Sequence, residues 1–326
     1  MTRPTTGMVL GKFMPPHLGH VYLVEFARRY VDRLTVVVGT MPHEPIDGAL
    51  RYGWMRELFP DCHVVHLDEV LPQDPSEHPE FWAIWEAALR RVLPEGPLDH
   101  VFASESYGHR LAQVLGASFV PVDRARSVLP VSGTAVREDP LGHWRFLPEC
   151  VRPYFVQRVC LFGPESTGKS TLARTLAEAF DTVAVPEYAQ LLIAEQEGAL
   201  AYEDIPRIAR GQRASEQALA RRANRVLFCD SDLLTTRIWS ETLFDDCPAW
   251  ICEEADRAAY DLTLLCDVDV PWVDDVHRYR PEDRRAFFAR CRDALEARGR
   301  PYVVIRGDWA ERDRAAIAAV RALLDR

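Results

Sequence analysis

A chain of 326 residues, 48% hydrophobic and 27% charged, is long enough for two ordinary domains, each with its own core. Its net charge of −10 argues against nucleic acid as a partner, which would need a basic face, and no apolar run approaches the ~18 residues of a membrane span, so no membrane insertion is expected. The eight cysteines form no CxxC pair and no Cys/His set at zinc spacing; with no signal peptide expected either, they read as reduced thiols of a cytoplasmic enzyme.

In chain order, "GMVLGKF" predicts a strand and "GHVYLVEFARRYV" a helix, followed by "RLTVVVGT", "ALRYGWMRELF", "CHVVHL", "PEFWAIWEAALRRVL", "HVFAS", "YGHRLAQVLG" and "SFVPVD". β-branched runs alternating with helical periodicity predict a doubly wound α/β domain with a parallel sheet. A Pro-bearing stretch, "WRFLPECVRPYFVQ", precedes a restart at "RVCLFG", which places a boundary near residue 150. Alternation resumes through "TVAVPE", "RVLFCDSD", "DLTLLCDVD" and "PYVVIRG", so residues 1–150 and 151–326 are expected to form two parallel-sheet α/β domains.

Among 39 basic residues only two are lysines, Lys12 and Lys169. Lysine is a compact point charge on a flexible stem where Arg is a broad fork, so these positions suggest narrow anion sites. Lys12 lies in "GKFMPPHLGH", where His17 and His20 sit three apart at the start of a helix. That spacing puts both imidazoles on one face, near the helix end that favours anions. Lys12, His17 and His20, with Gly11, Phe13 and Gly19 shaping the loop, fit a polyphosphate site for nucleotidyl transfer. A phosphate nucleophile is already ionised, so that chemistry needs alignment and charge neutralisation rather than a base.

The stretch resembles the G-x-F-x-P-x-H-x-G-H signature of the nucleotidylyltransferase superfamily, and "VSGTAVR" resembles its second signature, I-S-x-x-x-[IV]-R. The resemblance implies a Rossmann-like domain in which Ser132, Thr134 and Arg137 contact the triphosphate, with Arg126 a further candidate.

Lys169 lies in "GPESTGKST", a G-x-x-x-x-G-K-S loop between an apolar strand and a helix. In such a P-loop the backbone from Gly163 through Glu165, Ser166, Thr167 and Gly168 to Thr171 wraps the phosphates of ATP. Lys169 reaches the β and γ oxygens and Ser170 ligates Mg²⁺. "RVLFCDSD" ends a strand in Asp230 and Asp232, a pattern that offers Mg²⁺ a carboxylate, assigned to Asp230. Glu187 in "VAVPEYA" is either the base that accepts the substrate hydroxyl proton or an ordinary strand-end acid; Asp230 and Asp232 are the other candidates. "PWVDDVHRYRPEDRR" suggests a lid with one acting arginine, Arg278 being the best placed.

The order of the two halves resembles the NadR-type fusion of nicotinamide mononucleotide adenylyltransferase with ribosylnicotinamide kinase, carried by "GKFMPPHLGH", "FWAIWEAAL", "VSGTAVR", "GPESTGKST", "PEYA", "DSDLLTT" and "PWVDD". It implies phosphorylation of nicotinamide riboside with ATP, then joining of the mononucleotide to AMP to give NAD and pyrophosphate. The sequence departs from the family in two ways: an N-terminal helix-turn-helix, which some members have, is not expected, and Ala135 stands where some members carry a Lys. Trp82 and Trp85 suit stacking on a cationic nicotinamide, with Trp85 favoured because the family has a Trp there. A phosphopantetheine adenylyltransferase paired with its kinase, or an NAD or ATP sensor, are the alternatives, and a homo-oligomer is compatible with the sequence.

Overall fold

The computed structural model describes residues 3–196, 200–271 and 284–325. The chain divides into two compact units, Met1–Val151 and Arg152–Arg326.

The first unit alternates β1 (Thr6–Gly11), α1 (Leu18–Tyr30), β2 (Arg33–Thr40), α2 (Gly48–Leu58), β3 (His63–Asp68), α3 (Phe81–Val92), β4 (His100–Ala103), α4 (Tyr107–Leu115), β5 (Ser118–Pro121) and a short α5 (Gly133–Glu138). The five strands are parallel in the order β3-β2-β1-β4-β5. Side chains alternate across a strand, so Val9, Val36 and Val38 enter one core with α1 and α2, while Met8 and Val37 enter the other with α3 and α4. Both faces are covered, which explains why the strand sequences read as continuous apolar runs.

The second unit begins with the one-turn α6 (Arg152–Phe155), then β6 (Gln157–Phe162), α7 (Lys169–Ala179), β7 (Ala184–Val185), α8 (Tyr188–Glu195), α9 (Ile205–Ala220), β8 (Val226–Asp230), α10 (Leu233–Phe244), α11 (Ala249–Arg257), β9 (Leu262–Cys266), α12 (Arg284–Glu296), β10 (Tyr302–Ile305) and α13 (Trp309–Leu324). Its strands are also parallel, in the order β10-β9-β6-β8-β7. One face packs Val159, Leu161, Phe228 and Leu264 against Leu172 and Leu176 of α7 and Val320 and Leu323 of α13. "TVAVPE" pairs over only two residues, because Pro186 has no N–H to continue the ladder.

In both sheets the connections run in opposite directions from one central strand, β1 or β6. A crevice opens outside the carboxyl end of such a strand, and each glycine-rich motif follows that end directly. All eight cysteines are free thiols, and no helix among the described residues is long and apolar enough to cross a membrane.

Candidate functional site

The first unit holds a cavity of about 730 Å³ at the end of β1, lined among others by Lys12, His17, His20, Trp82, Arg126 and Arg137. Gly11, Phe13, Gly19, Trp85, Ser132 and Thr134 also line it, so both sequence signatures converge there.

The histidines build the start of α1 themselves. His17 is the N-cap: its Nδ1 accepts from His20 N–H at 3.4 Å, and His20 Nδ1 accepts from His17 N–H at 3.3 Å. Their rings stack with centroids 3.7 Å apart. A Cβ on Gly19 would lie 3.0 Å from the His17 ring, tighter than an ordinary contact, so a side chain there would push on the stacked imidazoles. Burial, then the Arg126 charge, pulls His17 down to about 4; burial, His17 and Arg126 hold His20 well below its ordinary value. Both rings are therefore neutral at pH 7. With each Nδ1 accepting, the ring proton sits on Nε2, leaving one N–H donor per ring. In the protein without ligand the histidines therefore offer hydrogen bonds, and formal positive charge at the cavity comes from Lys12, Arg126 and Arg137.

Arg137 Nη1 donates to Met14 O at 2.5 Å and Nη2 to Thr134 Oγ1 at 3.1 Å, tying the second signature to the first. Ser132 caps α5 through a bond from Ala135 N–H at 3.1 Å. Arg126 sits in a loop organised by Asp123, whose carboxylate collects the N–H groups of Ser127, Val128 and Leu129. Trp85 donates its indole N–H to Pro72 O at 2.8 Å, which fixes the ring at the cavity wall. Sequence reasoning missed Glu44 and Arg51. Lys12 Nζ meets Glu44 Oε1 at 3.0 Å, and the fully buried Arg51 donates to Lys12 O at 2.7 Å. Neither lies in a recognisable motif, and nothing in the local spacing marks the pair.

The second unit holds a cavity of about 460 Å³ after β6, lined by the residues from Glu165 to Thr171, by Glu187 and Asp232, and by Gln212 and Trp239. Gly163 and Gly168 adopt φ of +129° and +80°, and a Cβ would strike Cys266 O at 2.8 Å and the Trp309 ring at 2.6 Å. Lys169 is buried, with Nζ donating to Pro164 O at 2.9 Å inside its own loop. Burial works against its charge, but the Glu187 and Asp230 carboxylates outweigh it and raise its pKa. Thr167 is fully buried and turns its hydroxyl inward to Pro164 O at 2.8 Å.

Burial lifts Glu187 to about 7 against the pull of Lys169, with Asp230 and Glu165 adding to the rise; Gln190 donates to its Oε2 at 2.8 Å. Burial also raises Asp230, against Lys169 and a hydrogen bond with Ser170. Its Oδ1 is buried without a partner among the described residues. An orphaned carboxylate oxygen beside a hydroxyl fits a divalent cation that takes its other ligands from phosphate and water. No cluster of three or more His, Cys, Asp or Glu able to hold a metal occurs among the described residues, so protein ligands alone would not complete such a site.

Asp232 differs from its expected role. Its Oδ1 caps α10, accepting from Thr235 N–H at 2.9 Å, and its Oδ2 pairs with Arg300 at 2.9 Å, with the residue 1% exposed. A carboxylate with both oxygens committed organises the helix rather than accepting a substrate proton. Arg278 lies outside the described residues. Arg284, from the same run, donates to Ser166 O at 3.0 Å and braces the loop. Arg312, unmarked by any motif, is 1% exposed and donates to Thr167 O, Asp267 O and Asp269 Oδ1, each at 2.7 Å.

The sequence profile of an AAA domain matches residues 158–312. Over 99% of its length the chain is 28% identical to the trifunctional NAD biosynthesis/regulator protein NadR of Escherichia coli (strain K12), covering 84% of that protein. Two NadR crystal structures share the fold. One, in complex with NR, gives a TM-score of 0.78 at 23% identity over 98% of this chain and 96% of that one. The other, in complex with NAD and AMP-PNP, gives 0.76 at 22% identity over 99% and 97%.

Proposed function

We propose that this chain is a bifunctional enzyme of NAD synthesis, related to NadR over nearly its whole length. Its second unit phosphorylates nicotinamide riboside with ATP, and its first unit joins the resulting mononucleotide to AMP from a second ATP, releasing pyrophosphate. The observation that carries the reading is that the similarity to NadR spans both cavities, each of which has one of the chain's two lysines at the end of its central strand.

In the first unit the phosphate of the mononucleotide attacks the α-phosphorus of ATP, and the P–O bond to pyrophosphate breaks. Lys12, Arg126 and Arg137 balance the charge on the phosphates, while the Nε2–H donors of His17 and His20 bind oxygens whose charge grows in the transition state. Ser132 and Thr134 complete the triphosphate contacts, and Trp82 and Trp85 offer aromatic faces to the nicotinamide.

In the second unit the riboside hydroxyl attacks the γ-phosphorus, and the P–O bond to ADP breaks. Glu187, with a pKa near neutrality, accepts the hydroxyl proton, and Lys169 neutralises the transferring group. Ser170 and Asp230 would hold Mg²⁺, which, when bound, offsets charge on the β and γ oxygens. We place both reactions in the cytoplasm, the compartment in which eight free thiols stay reduced.

The test is a substrate panel with ATP and Mg²⁺. Nicotinamide riboside should yield mononucleotide and ADP, and the mononucleotide should yield NAD and pyrophosphate. Turnover of phosphopantetheine with no turnover of either nicotinamide compound would overturn the assignment.

A further inference from the structure

Lys12 is tied at both ends to one buried ion pair. Its ammonium meets Glu44 Oε1 at 3.0 Å, its carbonyl accepts from Arg51 Nη1 at 2.7 Å, and Arg51 Nη2 closes the ring on Glu44 Oε2. The Met41 N–H adds a bond to the same Oε2 at 3.0 Å. Arg51 is fully buried and needs an anion, since an unpaired guanidinium there would be strongly destabilising. Oε2 alone answers that need. Oε1 is buried and has no hydrogen-bond partner among the described residues beyond its 3.0 Å ion pair with the Lys12 ammonium, whose side chain is 46% exposed at the cavity wall. An ammonium has three N–H donors, so one contact with Glu44 leaves two for a phosphate.

We propose that Glu44 is a positioning residue for adenylyl transfer: clamped by Arg51, it holds the Lys12 ammonium at the cavity wall before substrate arrives. The inference rests on the adenylyl-transfer reading of that cavity. A free lysine side chain samples many rotamers, and an ammonium already in place spares the transition state the cost of ordering it. Burial pushes the Glu44 carboxyl up, but its bonds from Lys12, Met41 and Arg51 hold it below the ordinary carboxylate range, so it stays an anion where the enzyme works.

The two-lysine composition supplies a direct readout. In protein labelled with ¹⁵N-lysine, the ammonium spectrum carries at most two signals, and Lys169 serves as the internal reference. In the wild-type protein the Lys12 ammonium protons should exchange with water severalfold more slowly than those of free lysine. Exchange at the free rate overturns the proposal whatever the variants do. Glu44→Asp keeps a charge beside Arg51 but withdraws the carboxylate from Lys12. It should shift the Lys12 signal, leave that of Lys169 in place, and lower kcat for pyrophosphate release by up to about 10²-fold, the cost of misplacing a catalytic group by about 1 Å. In a Lys12→Ala background the same change should cost nothing further. If the Asp variant fails to fold, the wild-type exchange rate of the Lys12 ammonium by itself decides the contact. An unmoved Lys12 signal, or an equal loss with and without Lys12, would assign Glu44 to Arg51 alone. A wild-type chain that makes no dinucleotide would sink the adenylyl-transfer reading, while the ammonium spectrum would still decide the contact.

Discussion

Replacing Glu187 by Gln tests the phosphoryl-transfer base through two readouts that move in opposite directions. Burial lifts this carboxyl to about 7, so the ionised fraction climbs from roughly a tenth at pH 6 to roughly nine tenths at pH 8. A base that must be ionised gives a kinase kcat/KM that rises about tenfold over that interval, and Glu187→Gln should abolish the rise and lower turnover by ~10²-fold or more. Stability should go the other way. The folded pKa lies above the unfolded one, so the contribution of the carboxyl is fully present below 4.5 and is lost as the pH rises through about 7. At about 1.36 kcal/mol per pH unit the gap sets a ceiling of about 3 kcal/mol, and water reaching the half-buried side chain brings this to roughly 2. The variant should therefore match the wild type in urea midpoint at pH 4 and exceed it at pH 8. Initial rates of ADP release from pH 5.5 to 8.5, with urea titrations at both ends, measure the two effects. Near-wild-type turnover with a flat pH profile would remove Glu187 from the chemistry and move the role to Asp230.

The neutral His17 predicts an acid-sensitive first unit. Its folded pKa of about 4 lies below the ordinary 6.5, so its contribution is complete above 6.5 and is lost as the pH falls toward 4, by about 3 kcal/mol. His17→Asn, which retains a capping side chain, should flatten that slope in urea midpoints at pH 4.5 and 7; an unchanged slope refutes the assignment. Arg312→Met should cost about 3 kcal/mol or more, by stranding the Thr167 and Asp267 carbonyls, and should raise KM for ATP in the kinase reaction; an unaltered melting temperature would contradict it. Lys12→Ala should lower dinucleotide synthesis by ~10²-fold or more, to a residual but measurable rate, and spare riboside phosphorylation, and Lys169→Ala the reverse. Loss of both activities from either variant would show that the sites are not independent. Of the charge-conserving variants, Lys169→Arg should be inactive as a kinase, whereas Lys12→Arg should retain part of the adenylyl transfer; equal outcomes would show that enclosure does not decide the matter.

Most of the scaffold was legible because both faces of each sheet are buried, which turns strands into apolar runs such as Val36–Val38 and Leu227–Cys229. The loops were legible because glycine marks backbone with little room for a side chain: a Cβ on Gly163 or Gly168 would strike Cys266 O or the Trp309 ring, and one on Gly19 would crowd the His17 ring. The supporting residues were not legible. Arg51, Arg312 and Arg300 lie in or beside helices and act on carbonyls or carboxylates 39, 145 and 68 positions away. Nothing in local spacing distinguishes them from surface arginines; only the fold brings their partners near. Asp232 was misread for the same reason. A helix cap and a catalytic acid both follow a strand end, and the choice between them depends on Arg300, which the strand pattern does not contain.

The two lysines show how far composition can be pushed. Both positions escape the general use of arginine, and one steric cause for both is the economical explanation from sequence. The structure separates them. Lys169 is 6% exposed, its Nζ lies 2.9 Å from a carbonyl of its own loop, and the Gly168 edge of that loop is closed by the Trp309 ring, so a planar fork has no room. Lys12 is half exposed over a wide cavity, and its acceptor, Glu44, is a carboxylate that a guanidinium could also engage. Enclosure therefore accounts for Lys169 alone. What remains for Lys12 is the geometry of a small ammonium with three donors, which can be held by one carboxylate oxygen and still turn two N–H groups to a phosphate. A guanidinium paired with the same carboxylate would commit the donors on one edge and present the rest in one fixed plane.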